Sequence, residues 1–162
     1  RLFRGQRFCR VVEQRMSARI PILCLESKLY SCDVSFMNLT PLGNTRLLRS
    51  YVALEPQVQI LALAVKRWAK TMGMAKTWDG FISSYAWTCL VIYYLQVSHG
   101  LPSLHRAAAS AVDSEVDPTV FADDLDPEAR WRELADGPGG LLEGFFHFYA
   151  SEYRWGEEVV SV

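Results

Sequence analysis

The spacing of apolar and polar residues changes once along the chain, near residue 38. Before that point it favours strands. Residues 8–15, Phe-Cys-Arg-Val-Val-Glu-Gln-Arg, mix β-branched with charged side chains and predict an edge strand. Arg19 to Leu25 is a short apolar run, of a length that suits a buried strand. Pro21 belongs near its start, because proline cannot donate to a ladder. Glu26-Ser27-Lys28 predicts a turn. From Tyr30 to Phe36 the pattern alternates cleanly, with Cys32, Val34 and Phe36 on one face and Ser31, Asp33 and Ser35 on the other. This predicts a half-buried strand with a carboxylate in the middle of its polar face.

After Asn38 the period becomes helical. Asn44 to Leu54 predicts a short helix with Asn44 as its N-cap. Pro56 opens a longer one, since a proline is well placed in a first turn. Its apolar stripe is Val58, Leu61, Ala62, Val65, Trp68, Ala69 and Met72, and Gly73 closes it. A third helix runs from about Ser83 to Val97, apolar on nearly every side and therefore central. Residues 106–127, with scattered Asp and Glu and two Asp-Pro steps, are expected to be an acidic surface linker or insertion. Glu128 to Leu134 predicts a helical turn, Gly137 to Gly140 a loop, and Leu141 to Tyr153 an amphipathic helix burying Leu142, Phe145, Phe146 and Tyr149. No internal repeat is visible. Strands first and helices afterwards make an α+β chain.

Composition narrows the class. At 162 residues, 50% hydrophobic and 12% aromatic, the chain is neither disordered nor collagen-like, and its length suits one domain or parts of two. Its net charge of −1 conceals an asymmetry. Residues 1–85 carry 13 Lys and Arg against 5 Asp and Glu, whereas residues 86–162 carry 4 against 13. One half is therefore +8 and the other −9, and a basic half of that kind suits nucleic-acid contact. The uncharged stretch Gly80 to His105 is densely apolar only from Tyr85 to Val97, short of the ~20 residues a bilayer helix needs. No membrane partner is expected. Cysteines at 9, 24, 32 and 89 make no Cys-x-x-Cys pair, and three lie in apolar strand-like runs where a reduced thiol acts as a small hydrophobe. A reducing, intracellular compartment fits. His99, His105 and His147 have no metal-binding spacing.

Four groups of residues could carry chemistry. Asp33, on the polar face of its strand, could ligate a hard cation such as Mg²⁺, or could be an ordinary solvated carboxylate. Lys66 and Lys70, spaced i, i+4 with Arg67 beside them, could straddle a polyphosphate or form a solvated basic face. Ser83, Ser84 and Tyr85 begin a helix, whose free N–H groups suit phosphate while Tyr85 could stack on a base. An N-cap followed by a core aromatic is the ordinary alternative. Asn38 and Asn44 flank the strand-to-helix junction, where each could bond a ribose or a base edge, or serve as a turn or cap residue.

Taken together, these segments resemble a known family. Cys-Asp-Val-Ser-Phe-Met-Asn (32–38), Asn-Thr-Arg-Leu-Leu-Arg-Ser-Tyr (44–51), Val-Lys-Arg-Trp-Ala-Lys (65–70) and Ile-Ser-Ser-Tyr-Ala-Trp (82–87) occur in the order and spacing of the template-independent RNA nucleotidyltransferases. These are the terminal uridylyltransferases and their poly(A)-polymerase relatives, in the polymerase β superfamily. Ala-Arg-Ile-Pro-Ile-Leu (18–23) is similar to the strand before the third catalytic aspartate, and residues 140–155 to a helix of the associated central domain. The resemblance covers most of 8–104 and then 139–160.

The resemblance implies the following expectations. Residues 1–38 would be the end of a nucleotidyltransferase palm sheet, with antiparallel or mixed strands. Residues 39–162 would be a mainly helical, poly(A)-polymerase-associated central domain carrying the acidic insertion at about 106–127. Asp33 would be the third catalytic carboxylate and a metal ligand, with Mg²⁺ or Mn²⁺ as cofactor. Asn38 and Asn44 would contact the sugar and base of the nucleotide, Lys66 and Lys70 its triphosphate, Ser84 a phosphate, and Tyr85 would stack on the base. The implied reaction is attack of an RNA 3′-oxygen on the α-phosphate of a nucleotide, UTP or alternatively ATP, with loss of pyrophosphate. A catalytically inactive RNA-binding or scaffolding relative is the competing reading, and a generic helical interaction domain a third. Met37 stands where many relatives have an Asn, and Gly43 where a longer polar residue is common. The Gly-Ser motif and Asp-x-Asp pair are expected upstream of Arg1 and the base-selecting segment after Val162, so the chain alone is expected to be inactive. The acidic stretch could bind a protein partner, and the compartment would be cytoplasmic or mitochondrial.

Overall fold

The computed structural model describes residues 9–18, 20–104, 134 and 136–162. The chain divides into two units, residues 1–42 and 43–162. In the first, three strands form one antiparallel sheet: β1 (Arg10–Arg15), β2 (Ile22–Glu26) and β3 (Ser31–Ser35), with β2 in the middle. Pro21 falls just before β2, where its missing N–H costs no ladder bond. The turn into β3 is tied by Ser27, whose Oγ accepts from the amides of Leu29 and Tyr30 at 3.2 and 3.1 Å. Cys24 is opposite Asp33 on β3 and opposite Glu13 on β1. A register shift between Val11 and Glu13 gives β1 one extra residue there.

Partners across an antiparallel ladder share a face. Arg10, Glu13 and Arg15 therefore share one with Ile22, Cys24 and Glu26 and with Ser31, Asp33 and Ser35. Leu23 and Leu25 share the other with Val34 and Cys32. The alternation expected over residues 30–36 is present. The apolar run of 19–25 is less enclosed than expected: only Leu25 is buried, while Ile22, Leu23 and Cys24 are half-buried.

Beyond β3 the backbone turns through Met37, whose φ of +58° is left-handed. Helix α1 spans Thr40–Leu54, starting a turn before the expected Asn44. Asn44 is thus inside the helix and is not its N-cap. Pro41 in the first turn is the physical reason, since its fixed φ is helical and its missing N–H would have had no partner. Helix α2 (Pro56–Thr71) begins at proline as expected, and the Glu55 carboxylate caps it by accepting from the Gln57 amide at 2.8 Å. Val58, Leu61, Ala62, Val65 and Ala69 are buried, whereas Met72 lies past the last turn and is exposed. A 3₁₀ turn (Thr77–Asp79) leads to α3 (Ser84–His99), capped by Ser83 Oγ on the Ala86 amide at 3.1 Å and closed by left-handed Gly100.

The expected loop at 137–140 is instead the start of α4 (Pro138–His147), with Gly137 as N-cap and proline in the first position. The helix then widens into a π-turn over Phe148–Glu152. Leu141, Phe145, Phe148 and Tyr149 are buried, with Leu142 and Phe146 partly covered at the core's edge. Residues 106–127 and 128–133 lie outside the described residues; Leu134 is buried. The core of the helical unit centres on Tyr51, fully buried, whose Oη accepts from Gln96 Nε2 at 2.9 Å and from the Leu104 amide at 3.1 Å. Around Tyr94, Phe145 and Phe148 the rings meet mostly edge to face, the arrangement their quadrupoles favour. Gly144 is required there, since a Cβ would overlap the Tyr94 hydroxyl. No described helix is long and apolar enough to cross a membrane.

Candidate nucleotide and metal site

Asp33 occupies the centre of β3 and is exposed. Alternation puts it on the charged face of the sheet, away from buried Leu25. Cys24 is directly opposite on β2, and the neighbouring Asp33 carboxylate is the main reason its thiol pKa is raised. One strand further, Arg15 forks onto Glu13 with bonds of 2.7 and 2.8 Å. The pair holds the Glu13 carboxyl below and the Arg15 guanidinium above their ordinary values. Arg15 also feels the Asp33 charge. Sequence reasoning found Asp33 and missed Glu13, Arg15 and Cys24 as its neighbours. Cys24 had been read as a small hydrophobe, but the ladder puts it on the polar face, and Cys32 is exposed.

The donor chemistry of this face fits a hard divalent cation in part. Asp33 supplies a carboxylate oxygen, the ligand type such ions prefer. Among the described residues no group of three His, Cys, Asp or Glu converges to hold a metal, so Asp33 offers one corner of a site. Asn38 is half-buried at the end of the same unit, just after left-handed Met37.

The remaining candidates, apart from Asn38, lie in the helical unit. Asn44 is half-buried within α1. Lys66 and Lys70 sit one turn apart on α2, the first half-buried and the second exposed, outside the buried stripe. α2 packs on α3, where Trp68 meets Trp87 edge to face at 5.8 Å. At the start of α3, Ser83 is the capping residue, and Ser84 and Tyr85 are the first two residues of the helix. Amides at those positions have no intrahelical acceptor, and the helix dipole makes them attractive to an anion. Tyr85 is 37% exposed, so part of its ring is open to stacking. Burial pushes its phenol up to about 12, and its hydroxyl interacts with the Cys89 thiol one turn on. The phenol is therefore neutral at physiological pH.

A cavity of about 430 Å³ in this unit is lined by Trp68, Met74, Phe81, Trp87 and Phe146, among others, and by none of the candidate residues. The indole N–H groups of Trp87 and Trp155 are spent on the carbonyls of Met74 and Tyr149. That lining offers apolar surface and no convergent polar groups for a nucleotide.

The three-stranded antiparallel sheet followed by helices makes an α+β chain that matches the nucleotidyltransferase fold. No protein-family model matches it. Over 158 residues it is 32% identical to terminal uridylyltransferase cid1 of Schizosaccharomyces pombe, which covers 89% of this chain and 38% of that protein. It is 31% identical to human poly(A) RNA polymerase GLD2 over 168 residues, 92% of this chain and 32% of that protein. A crystal structure of the Cid1 poly(U) polymerase with magnesium and 3′-dATP superposes with a TM-score of 0.77 at 31% identity, over 94% of this chain and 49% of that one. The chain belongs to the family of terminal uridylyltransferases and GLD2-type poly(A) RNA polymerases. It spans between about a third and a half of the relatives it matches.

Proposed function

We propose that this chain is the central portion of an RNA 3′-terminal nucleotidyltransferase that adds nucleotides without a template, with UTP as the preferred substrate. The observation that carries the proposal is Asp33, an exposed mid-strand carboxylate in a segment 32% identical to a uridylyltransferase. ATP is the alternative substrate, because the relatives at similar identity include poly(A) polymerases.

On this reading Asp33 is one ligand of a divalent cation, Mg²⁺ or Mn²⁺, together with carboxylates elsewhere in the complete protein. The cation, when bound, supplies charge stabilisation for the attacking and leaving oxygens of phosphoryl transfer. The chain's own residues position the nucleotide and neutralise it. Lys66 and Lys70 hold the triphosphate as point charges, and Ser84 with the first amides of α3 adds donors to it. Tyr85 stacks on the base, and its neutral phenol adds no charge beside the phosphates. Asn38 and Asn44 bond the sugar and base. An RNA substrate puts the reaction inside the cell, in the cytoplasm or mitochondria, and the acidic stretch at 106–127 is a candidate surface for a basic protein partner.

The test is transfer of nucleotide onto an RNA 3′ end by the full-length protein and its Asp33→Ala variant, with UTP and ATP compared. Loss of transfer with nucleotide affinity retained is expected. Substantial residual transfer in the variant would sink the assignment. An inactive wild-type protein that still binds RNA would instead favour the scaffolding reading.

A further inference from the structure

We propose that the outward face of α2 is a contact for the RNA strand, with Arg67 pairing to a backbone phosphate and Ile60 and Leu63 lying against the bases. The inference rests on the nucleotidyltransferase reading and adds to it a place for the second substrate.

The helix geometry makes the case. At 3.6 residues per turn, Arg67 stands opposite the buried stripe of Val58, Leu61, Ala62, Val65 and Ala69. Leu63 and Ile60 precede it by four and seven residues and share its face. Lys66 and Lys70 share a direction turned about 80° from that of Arg67. The two lysines can therefore grip one anion while the guanidinium faces another. None of these three cations forms an ion pair with a described residue. α2 itself has no Asp or Glu, so nothing on the helix neutralises them. A solvated basic face accounts for the charges but not for their apolar neighbours. Ile60 and Leu63 are large aliphatic side chains, 49% and 58% exposed at the centre of the outward face. Apolar surface ending in an uncompensated guanidinium is complementary to single-stranded nucleic acid, which offers base faces beside phosphates. The planar fork of arginine suits a phosphate, to which it can bond through two N–H groups. Attack on the nucleotide brings the RNA 3′ end to the triphosphate, so a phosphate contact beside the two lysines lies where the strand must pass.

The experiment uses full-length wild type, Arg67→Ala, Arg67→Lys and Leu63→Gln. The Kd for a 5′-labelled single-stranded RNA is measured by fluorescence anisotropy without nucleotide at several KCl concentrations. Nucleotide KM at saturating RNA and Tm are measured alongside. Arg67→Ala should raise the RNA Kd about 5-fold and flatten the dependence of log Kd on log salt by about 0.7, the share of one phosphate on a single strand. Its nucleotide KM should stay at the wild-type value. Arg67→Lys keeps the charge without the fork, and should restore the salt slope and part of the affinity. Leu63→Gln should raise the RNA Kd about 2–3-fold with the salt slope unchanged, because it removes apolar contact only. A raised nucleotide KM with wild-type RNA affinity in Arg67→Ala would make Arg67 a third triphosphate contact and overturn the inference. So would lowered Tm in Arg67→Ala and Leu63→Gln with wild-type RNA affinity, the signature of a face covered by protein. Failure of the two readings is separable. If wild type transfers nucleotide and Arg67→Ala matches its RNA Kd and slope, only the α2 contact fails. If wild type transfers none, the nucleotidyltransferase reading fails, while the RNA Kd and its slope still decide the contact.

Discussion

Lys66 and Lys70 differ in surroundings, and that difference sets the size of their expected effects. Both stand on α2 outside the buried stripe, Lys66 half-buried and Lys70 exposed. Two unit charges 4 Å apart interact by about 1 kcal/mol in bulk water and by about 4 kcal/mol at the effective dielectric of a protein surface. Lys70, in water, belongs near the first value. Lys66, partly withdrawn from water, belongs between them, in the ~1.5–3 kcal/mol range of a hydrogen bond to a charged group. Lys70→Ala should therefore raise the nucleotide KM about 5-fold and Lys66→Ala about 10–100-fold, with kcat nearly unchanged in both. Salt gives a second axis. At 0.15 M the screening length is about 8 Å, so added KCl should erode the Lys70 effect more than the Lys66 effect. Steady-state kinetics of the full-length protein with UTP and ATP at two ionic strengths would measure this, with thermal unfolding as a control, since neither side chain packs in the core. A fall in kcat at constant KM, or a Lys70 effect larger than the Lys66 effect, would refute the assignment of both amines to ground-state triphosphate binding.

Other consequences can be checked by simpler measurements. Met37 holds a φ of +58°, a conformation that costs a non-glycine residue about 1–2 kcal/mol and that Asn tolerates better. Met37→Asn should thus raise the denaturation midpoint; an unchanged or lower midpoint would mean the strain is relieved elsewhere. Tyr51→Phe deletes the acceptor shared by Gln96 and the Leu104 amide, which leaves buried donors without a partner and should cost about 1–3 kcal/mol by denaturant unfolding. The Tyr85 phenol is shifted from its ordinary value of 10.0 up to about 12, mainly by burial. A raised folded-state pKa stabilises the fold fully below the unfolded value, and that contribution is lost as pH rises from about 10 to about 12. Stability should decline across that window, less steeply in Tyr85→Phe, as followed by melting temperature against pH.

Features governed by local chemistry were legible in the sequence. The alternation around Asp33, the proline start of α2 and the Ser83 cap each depend on a few adjacent residues. The errors arose where two local signals competed. Asn44 looks like a cap residue, yet Pro41 starts α1 a turn earlier and absorbs it. Gly-Pro-Gly-Gly reads as a loop, but proline in the first helical position starts α4 there. In the last helix the buried stripe is Leu141, Phe145, Phe148 and Tyr149, at i, i+4, i+7 and i+8, a spacing that local pattern alone does not separate from one through Leu142 and Phe146. Within the site, Asp33 could be proposed from its strand alone. Its neighbours Cys24, Glu13 and Arg15 could not, because they come from register across three strands, including a bulge that no local pattern announces.

The charge distribution now has a physical interpretation. The net charge of −1 predicts no affinity for nucleic acid, yet every candidate residue lies in the half of the chain that carries +8. That half uses its charges in two opposite ways. On the sheet it exposes a carboxylate, while the nearby Arg15 forks onto Glu13. On α2 and α3 it exposes ammonium groups and a helix N-terminus, which suit an anion. A free anion would satisfy the second arrangement and a free cation the first. Asp33 by itself is a weak ligand, since a hard cation such as Mg²⁺ is ordinarily held by one or two carboxylates plus substrate phosphates and water. On the proposed reading the described residues therefore supply more of the nucleotide's binding than of the metal's, since among them no three His, Cys, Asp or Glu side chains converge.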